Sequence, residues 1–160
     1  MKDLDKYRGC LIGGAVGDAL GYAVEFLQDY QIFQRYGEQG ITEYSLVDGV
    51  AQISDDTQMT LFTATGLLVG TTRGMMRGIM GTYPSYISFA YGDWLKTQLV
   101  NEGEVSIPHS SWLNNIPELN QRRAPGNTCL SACGKTNIGT IENPINNSKG
   151  CGGVMRVAPI

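Results

Sequence analysis

Two adjacent carboxylates and two hydroxyls stand together in the segment Ser54-Asp55-Asp56-Thr57, directly before a run rich in apolar residues. Carboxylate and hydroxyl oxygens are ligands that Mg²⁺ and Mn²⁺ prefer, and neighbouring carboxylates can hold two ions side by side. Ser and Asp are also favoured at a helix N-terminus, and Asp55 with Gln58 has the spacing of a capping box. The segment therefore predicts a helix start, a metal site, or both.

The segment 4–27 predicts one long helix, because its apolar residues recur around a polar stripe and no proline interrupts them. Asp18 and Glu25 would lie on nearly the same face of this helix. Their apolar neighbours predict a central helix, in which a carboxylate needs a cation, a donor or a raised pKa. A solvated acidic stripe is the alternative. Four glycines recur at every fourth position and predict a groove for another backbone or a ligand: Gly9, Gly13, Gly17 and Gly21.

A glycine-rich loop, NNSKGCGGVMR, precedes what resembles the first turn of a helix near the end of the sequence. Glycines at 150, 152 and 153 permit positive φ and let backbone N–H groups approach an anion. The loop therefore predicts a phosphate site, although it matches neither the Walker pattern nor GxGxxG.

The composition is that of an ordinary globular protein, with 42% of the 160 residues hydrophobic and 17% charged. Its net charge of -3 argues against a broad basic surface for nucleic acid. The four cysteines form no CxxC pair and the single histidine is His109, so a structural zinc site lacks ligands and His109 receives no role. Neither a signal peptide nor a membrane-spanning apolar run is found, so we expect a cytoplasmic protein with reduced thiols and no membrane partner.

The other predicted elements follow in chain order: a loop at 28–53 with an extended piece at 41–47, a helix at 56–69 ended by Gly70, and a short helical segment at 73–81. After these come a helix with Pro84 in its first turn, an irregular connection at 101–125, and a short helix capped by Asn127 or Thr128 and running through Cys133.

Four motifs occur in the order RGCLIGGAVGDALGYAVEF, ISDDTQMT, RRAPGNTCLSA and KGCGGVMRVAPI. In their order and spacing, the chain resembles the ADP-ribosylglycohydrolase family, which includes the dinitrogenase-reductase-activating glycohydrolase and the animal ADP-ribosyl-acceptor hydrolases. The resemblance implies an all-α, compact helical bundle, with residues 1–160 as a single domain that forms the N-terminal part of the fold. It also implies a binuclear Mg²⁺ or Mn²⁺ centre that helps to remove ADP-ribose from a modified protein or a small ADP-ribose conjugate.

The same resemblance implies roles for individual residues. Ser54, Asp55 and Asp56 would be metal ligands, with Ser54 where threonine is more common. Glu25 matches a carboxylate near the metals with an acid-base or substrate-gating role, so Glu25 and Asp56 are the catalytic candidates. The loop that wraps the diphosphate and ribose nominates Ser148, Gly150, Cys151 and Gly152, and Cys151 stands where asparagine is common.

Family members are longer, and a late Gly-Asp-x-Asp-Thr segment completes both metal spheres in them. Because this sequence stops at Ile160 before such a segment, half of the site is expected here. The alternatives to an active enzyme are a truncated module that binds ADP-ribose or regulates without cleavage, a fragment of a full-length enzyme, and a purely structural helical protein. If the protein ends at Ile160, an exposed apolar patch would favour self-association.

Overall fold

The computed structural model describes residues 3–99 and 111–160, and this part of the chain is mostly helical, which confirms the all-α fold class. The α-helices are α1 (Leu4–Gly21), α2 (Asp29–Tyr36), α3 (Asp55–Arg77), α4 (Tyr83–Gln98) and α5 (Asn127–Cys133). Short 3₁₀ helices cover Trp112–Asn115, Pro117–Leu119 and Cys151–Arg156, and an antiparallel hairpin pairs β1 (Leu46–Val47) with β2 (Val50–Ala51). That residues 1–160 form a single domain stays a prediction.

Helices α3 and α4 form the centre of the molecule. Their backbones approach so closely at Gly66 that a Cβ there would lie 2.9 Å from the Cα of Ile87. One turn further, a Cβ on Gly70 would lie 2.7 Å from the Tyr86 ring. The apolar core lies beside this contact and draws on both helices, the first two 3₁₀ helices and α5: Met59, Phe62, Ala90, Trp94, Leu113, Leu119 and Cys129.

Replacing Gly66 with alanine is expected to lower the free energy of unfolding by about 1–3 kcal/mol, because overpacking a close contact costs about that much. Gly92→Ala in α4 is the matched control, since nothing lies within 4 Å of its Cβ position among the described residues. That control should gain up to about 1 kcal/mol from helix propensity. Urea denaturation measures both changes, and equal midpoints would contradict the close approach.

A buried amide cluster joins the two central helices to the loop that follows the second 3₁₀ helix. The Gln58 amide nitrogen donates to the Gln121 carbonyl at 3.0 Å, while its oxygen accepts from the Gln98 amide at 2.8 Å and the Trp94 indole at 3.3 Å. The Gln98 oxygen in turn accepts from the Arg123 N–H at 3.3 Å. Because a buried amide is costly unless paired, these bonds fix the course of the loop.

Helix α1 is shorter and more exposed than predicted. It ends at Gly21 and not at residue 27, and tight turns follow in which Val24 donates its N–H to the Gly21 carbonyl at 3.0 Å. Ala19 is the one α1 residue that is buried, so the prediction of a central helix is wrong. The apolar side chains of α1 are spread around the helix and give it no one-sided face to bury.

The predicted glycine groove is also not packed against another backbone. Within the described ranges, no neighbouring atom lies within 4 Å of a Cβ built on any glycine of the row, which comprises Gly9, Gly13, Gly17 and Gly21. A glycine row therefore does not by itself identify a close helix contact.

The predicted loop at 28–53 contains more regular structure than expected. Helix α2 begins with a reciprocal cap, in which the Gln31 side chain accepts from the Gln28 N–H at 2.8 Å. The hairpin turns at Asp48 and Gly49, whose φ angles of 51° and 80° lie in the left-handed region that Gly and Asp tolerate. The predicted extended piece at 41–47 overlaps β1 only at its end.

Helix α3 continues past Gly70, where the sequence predicted its end. It runs to Arg77 and stops at Gly78, which has a left-handed φ of 66°. Gly70 lacks a side chain because a Cβ there would clash with the Tyr86 ring. The separate helical segment predicted at 73–81 begins inside α3.

The later elements agree better with their predictions. Helix α4 carries Pro84 in its first turn, and α5 ends at Cys133 as predicted. The cap of α5 is Gly126, however, and not Asn127 or Thr128. His109 and the first part of the connection at 101–125 lie outside the described residues. None of the described helices combines the length and apolar character needed to cross a bilayer.

Candidate active site

The acidic triplet begins helix α3, and its orientation is set by a double cap. Ser54 is the N-cap residue, and its Oγ accepts from the Asp56 N–H at 3.1 Å. From α1, the Asp18 carboxylate accepts from the N–H groups of Ser54 and Thr57, at 2.9 and 3.2 Å, and from the Thr57 hydroxyl. The helix-start prediction is confirmed, but the capping box of Asp55 with Gln58 is wrong because Gln58 points into the core.

Asp55 is held between the start of α3 and the loop that leads to α5. Its backbone N–H donates to the Arg123 carbonyl at 2.8 Å, and its side chain is buried at 5% exposure. Burial, and secondly the negative charge of Asp56, raises the pKa of Asp55 to about 6, while the Gly126 N–H opposes this change. The amide cluster thus positions Asp55 indirectly, by fixing the loop that contacts it.

Asp56 and Glu25 complete a group of interacting carboxylates. Desolvation raises the pKa of Asp56, with a further contribution from Asp18, whereas the Arg156 charge lowers it. Glu25 lies in the turns after α1 and not on the helix, and partial desolvation followed by the charges of Asp56 and Asp18 raises the pKa of its carboxyl. The prediction that Asp18 and Glu25 share one helix face is therefore wrong; the two carboxylates interact through their charges, and Asp18 acts mainly as a cap.

The donor chemistry of this group fits a hard divalent cation, since a cation would offset the desolvation of the three carboxylates, which is the main cause of their raised pKa values, and would also relieve their mutual repulsion. The number of ligands falls short of a full sphere. In the part of the chain that the structure describes, no three His, Cys, Asp or Glu side chains are grouped so that they could share an ion. A cation such as Mg²⁺, which takes octahedral oxygen coordination and keeps several waters, would therefore need water oxygens here.

The glycine-rich loop ends in the 3₁₀ helix Cys151–Arg156 and not in the predicted α-helical turn. None of its glycines has a positive φ. The Ser148 Oγ accepts from the Gly150 N–H at 3.2 Å and from the Thr128 hydroxyl at 3.2 Å, which joins the loop to α5. One of the N–H groups expected to approach an anion is therefore already paired within the loop.

Gly152 is needed for space, because a Cβ there would lie 2.6 Å from the Cys129 Sγ. We expect Gly152→Ala to lower the free energy of unfolding by about 1–3 kcal/mol through overpacking. In a Cys129→Ala background the sulfur is gone, and the same glycine substitution should cost less by about 1 kcal/mol or more, as expected for residues in contact. Thermal and urea unfolding of the four proteins in this cycle measure the coupling, and additive costs would contradict the contact.

Arg156 is a site residue that the sequence analysis missed. It is half-buried, and its guanidinium lies 4.8 Å from the centre of the Tyr91 ring. Its charge also acts on Asp56. The signal was present in the sequence, because Arg156 is the first cation after the loop glycines.

A cleft of about 1000 Å³ brings the acidic group and the glycine loop together. The predicted site residues that line it are Glu25, Asp55, Asp56, Ser148, Gly150, Cys151 and Gly152. Ser54 instead lines a smaller cavity of about 460 Å³ beside α1, which also borders Asp18, Glu25 and Asp56. Seven of the eight predicted residues therefore face one space.

The chain matches a family described as ADP-ribosylglycohydrolase over residues 1–160. Comparisons with curated proteins and with solved structures gave no match. The family expected from the four sequence motifs is therefore confirmed.

Proposed function

Since this chain belongs to the ADP-ribosylglycohydrolase family, we propose that it is a metal-dependent hydrolase that removes ADP-ribose from a modified protein or a small ADP-ribose conjugate. The observation that supports this most is the single cleft shared by Glu25, Asp55 and Asp56 with the glycine loop. A cleft of about 1000 Å³ lies at the upper end of the range of small-molecule and cofactor sites, which leaves room for a ligand as large as ADP-ribose. The cytoplasmic location stays a prediction.

Ser54, Asp55 and Asp56 would hold Mg²⁺ or Mn²⁺. The Ser54 Oγ keeps a lone pair after accepting from Asp56, and the two carboxylates belong to the group whose repulsion a cation would relieve. When bound, the cation would supply positive charge for the ribose hydroxyls and acidify a coordinated water.

The reaction would add water across the glycosidic bond at the anomeric carbon of the ribose. The water oxygen forms the new bond to that carbon, and the departing nitrogen or oxygen of the acceptor leaves with the bonding electrons and gains a proton. A positive charge develops on the sugar in the transition state, so nearby carboxylates lower the barrier. Glu25 is suited to carry the proton, because desolvation and its negative neighbours raise its pKa toward the working range of a general acid.

The glycine loop would hold the diphosphate end of the ligand. Ser148, Gly150, Cys151 and Gly152 line the same cleft as the carboxylates. The side chain of Cys151 is exposed and would stand beside the ligand. The proposed binding groups and the proposed reacting groups would then share one cleft.

Replacing Glu25 with glutamine is expected to lower kcat by about 10²–10⁴-fold, the usual contribution of a general acid or base, with a smaller change in KM. ADP-ribose release from an ADP-ribosylated peptide, followed with Mn²⁺ present, measures this. Glu38→Gln is the matched control, because Glu38 is exposed and does not line the cleft. If Glu25→Gln loses Mn²⁺ binding with an unchanged rate at saturating metal, Glu25 is a ligand and not the acid.

Binding without cleavage is the second candidate, favoured by the incomplete ligand grouping among the described residues. Calorimetric titration with ADP-ribose and the release assay distinguish the two functions. Binding together with Mn²⁺-dependent release supports the hydrolase, binding alone supports the module, and the absence of both contradicts the proposal. An acceptor protein is the proposed partner, and self-association stays a prediction.

A further inference from the structure

Arg156 contacts four separate parts of the molecule at once. Its Nε donates to the Gly152 carbonyl within the loop, and its two terminal nitrogens approach the Met59 Sδ at 3.1 Å and the Cys129 Sγ at 3.4 Å. Its flat face lies 4.8 Å from the centre of the Tyr91 ring. One side chain therefore joins the glycine loop to α3, α4 and α5.

The guanidinium has no carboxylate within ion-pair distance among the described residues, although its charge lowers the pKa of Asp56. Two of its contacts are to sulfur, which is a weak acceptor. Such contacts contribute little energy individually, but they fix the plane of the guanidinium. An arginine can donate to acceptors in several directions from one planar group, whereas a lysine presents a compact ammonium that cannot reproduce this geometry.

Arg156 itself lines the cleft, but most of its guanidinium is engaged by the protein. One face is covered by the Tyr91 ring, and the nitrogens point to the loop carbonyl and to the two sulfurs. What these contacts determine is the position of Gly152, whose backbone lies against the Cys129 thiol. Gly152 and its neighbours line the cleft, so the shape of the binding loop depends on this one side chain.

We propose that Arg156 is a positioning residue that holds the glycine loop against α5 in the form that receives the diphosphate. Its effect on ligand affinity depends on the proposed function. Its effect on the loop does not, since the loop covers the buried Cys129 whether or not a ligand binds.

The test compares Arg156→Lys and Arg156→Gln with the unchanged protein and with Arg77→Lys, a matched substitution at an exposed end of α3. Alkylation of Cys129 by iodoacetamide without ligand, quantified on the Cys129 peptide by mass spectrometry, reports opening of the loop. We expect Cys129 to react at least about tenfold faster in both Arg156 variants, which corresponds to about 1.4 kcal/mol of easier opening. The exposed Cys10, which lies on α1 and outside the loop, should react at its original rate and serves as the internal reference.

Affinity for ADP-ribose, measured by calorimetry, should fall about tenfold in Arg156→Lys, although the charge is kept. An unchanged Cys129 alkylation rate would overturn the positioning role. A faster rate that only follows a loss of global stability, measured by urea unfolding of the same variants, would also overturn it, because Arg156 would then be a general core residue. If the unchanged protein does not bind ADP-ribose, the proposed function fails, while the alkylation rates still decide the role of Arg156.

Discussion

Replacing Asp55 and Asp56 together with alanine is expected to lower the rate of ADP-ribose release at least about 10³-fold. The reason is that a bound cation contributes several kcal/mol to stabilising the transition state, and about 1.4 kcal/mol corresponds to a factor of ten. The double variant removes both carboxylates that we propose as ligands while keeping the Ser54 cap of α3. Release from an ADP-ribosylated peptide with Mn²⁺, using the protein as its gene encodes it, gives the rate.

Asp5→Ala is the control for this experiment, because Asp5 is also an acidic residue in the first turn of a helix but does not line the cleft. Its rate should stay within about twofold of the original, since exposed substitutions away from a site change little. Undiminished turnover in the double variant would reject the assignment of Asp55 and Asp56. Equal losses in the double variant and in Asp5→Ala would point to an unfolded protein and not to a lost metal site.

In the absence of metal, Asp55→Asn is expected to make the protein more stable at pH 7, by about 1–2 kcal/mol after allowance for solvent screening of the carboxylate. The pKa of Asp55 is about 6 in the folded chain against the reference value of 3.8, and each unit corresponds to about 1.4 kcal/mol. Asparagine keeps an oxygen that can accept from the Gly126 N–H, and it carries no charge to repel Asp56. Urea unfolding in EDTA measures the gain.

The sign of the pH dependence follows from proton binding. Between pH 3.8 and about 6 the folded protein binds more protons at Asp55 than the unfolded chain does, so the free energy of unfolding falls as the pH rises through this range. Asp55→Asn removes this part of the slope. Asp56 and Glu25 also have raised pKa values, so the slope should become shallower without vanishing.

Adding Mn²⁺ at pH 7 supplies the matching control. The unchanged protein should gain stability with the Mn²⁺ concentration, as expected for a ligand that binds only the folded state, and Asp55→Asn should gain much less. A variant that is less stable than the original in EDTA would contradict the proposed repulsion. If the variant is more stable in EDTA and is stabilised by Mn²⁺ as much as the original, the charge of Asp55 destabilises the fold but Asp55 is not a metal ligand.

The sequence predicted those features of the site and the fold that depend on residues close together in the chain. Ser54 and the two aspartates begin a helix because short polar side chains cap unpaired N–H groups, and Pro84 marks the first turn of α4 for a similarly local reason. The glycine loop and the triplet are far apart in sequence, and their meeting in one cleft was expected from the resemblance to a family and not from spacing.

Two of the wrong predictions concern residues whose partners are distant in sequence. Gly70 suggested the end of a helix, but its lack of a side chain makes room for Tyr86 of α4. Gln58 has the spacing of a cap, but Trp94 and Gln98 give its amide better partners in the core. No local rule separates these uses, because each depends on which surface packs against the helix.

The hydrogen bonds from the start of α3 to Asp18 connect α1 to the acid site through polar contacts and not through apolar packing. No residue of α1 belongs to the apolar core cluster, yet Asp18 is the acceptor for two backbone N–H groups of the segment that carries the triplet. If this helix detached, the apolar core cluster would therefore stay intact, but the two aspartates would lose the contact that fixes their orientation. The orientation of the two aspartates thus depends on a polar contact at the start of α3, whereas the stability of the fold depends on apolar residues of the same helix that follow it, such as Met59 and Phe62.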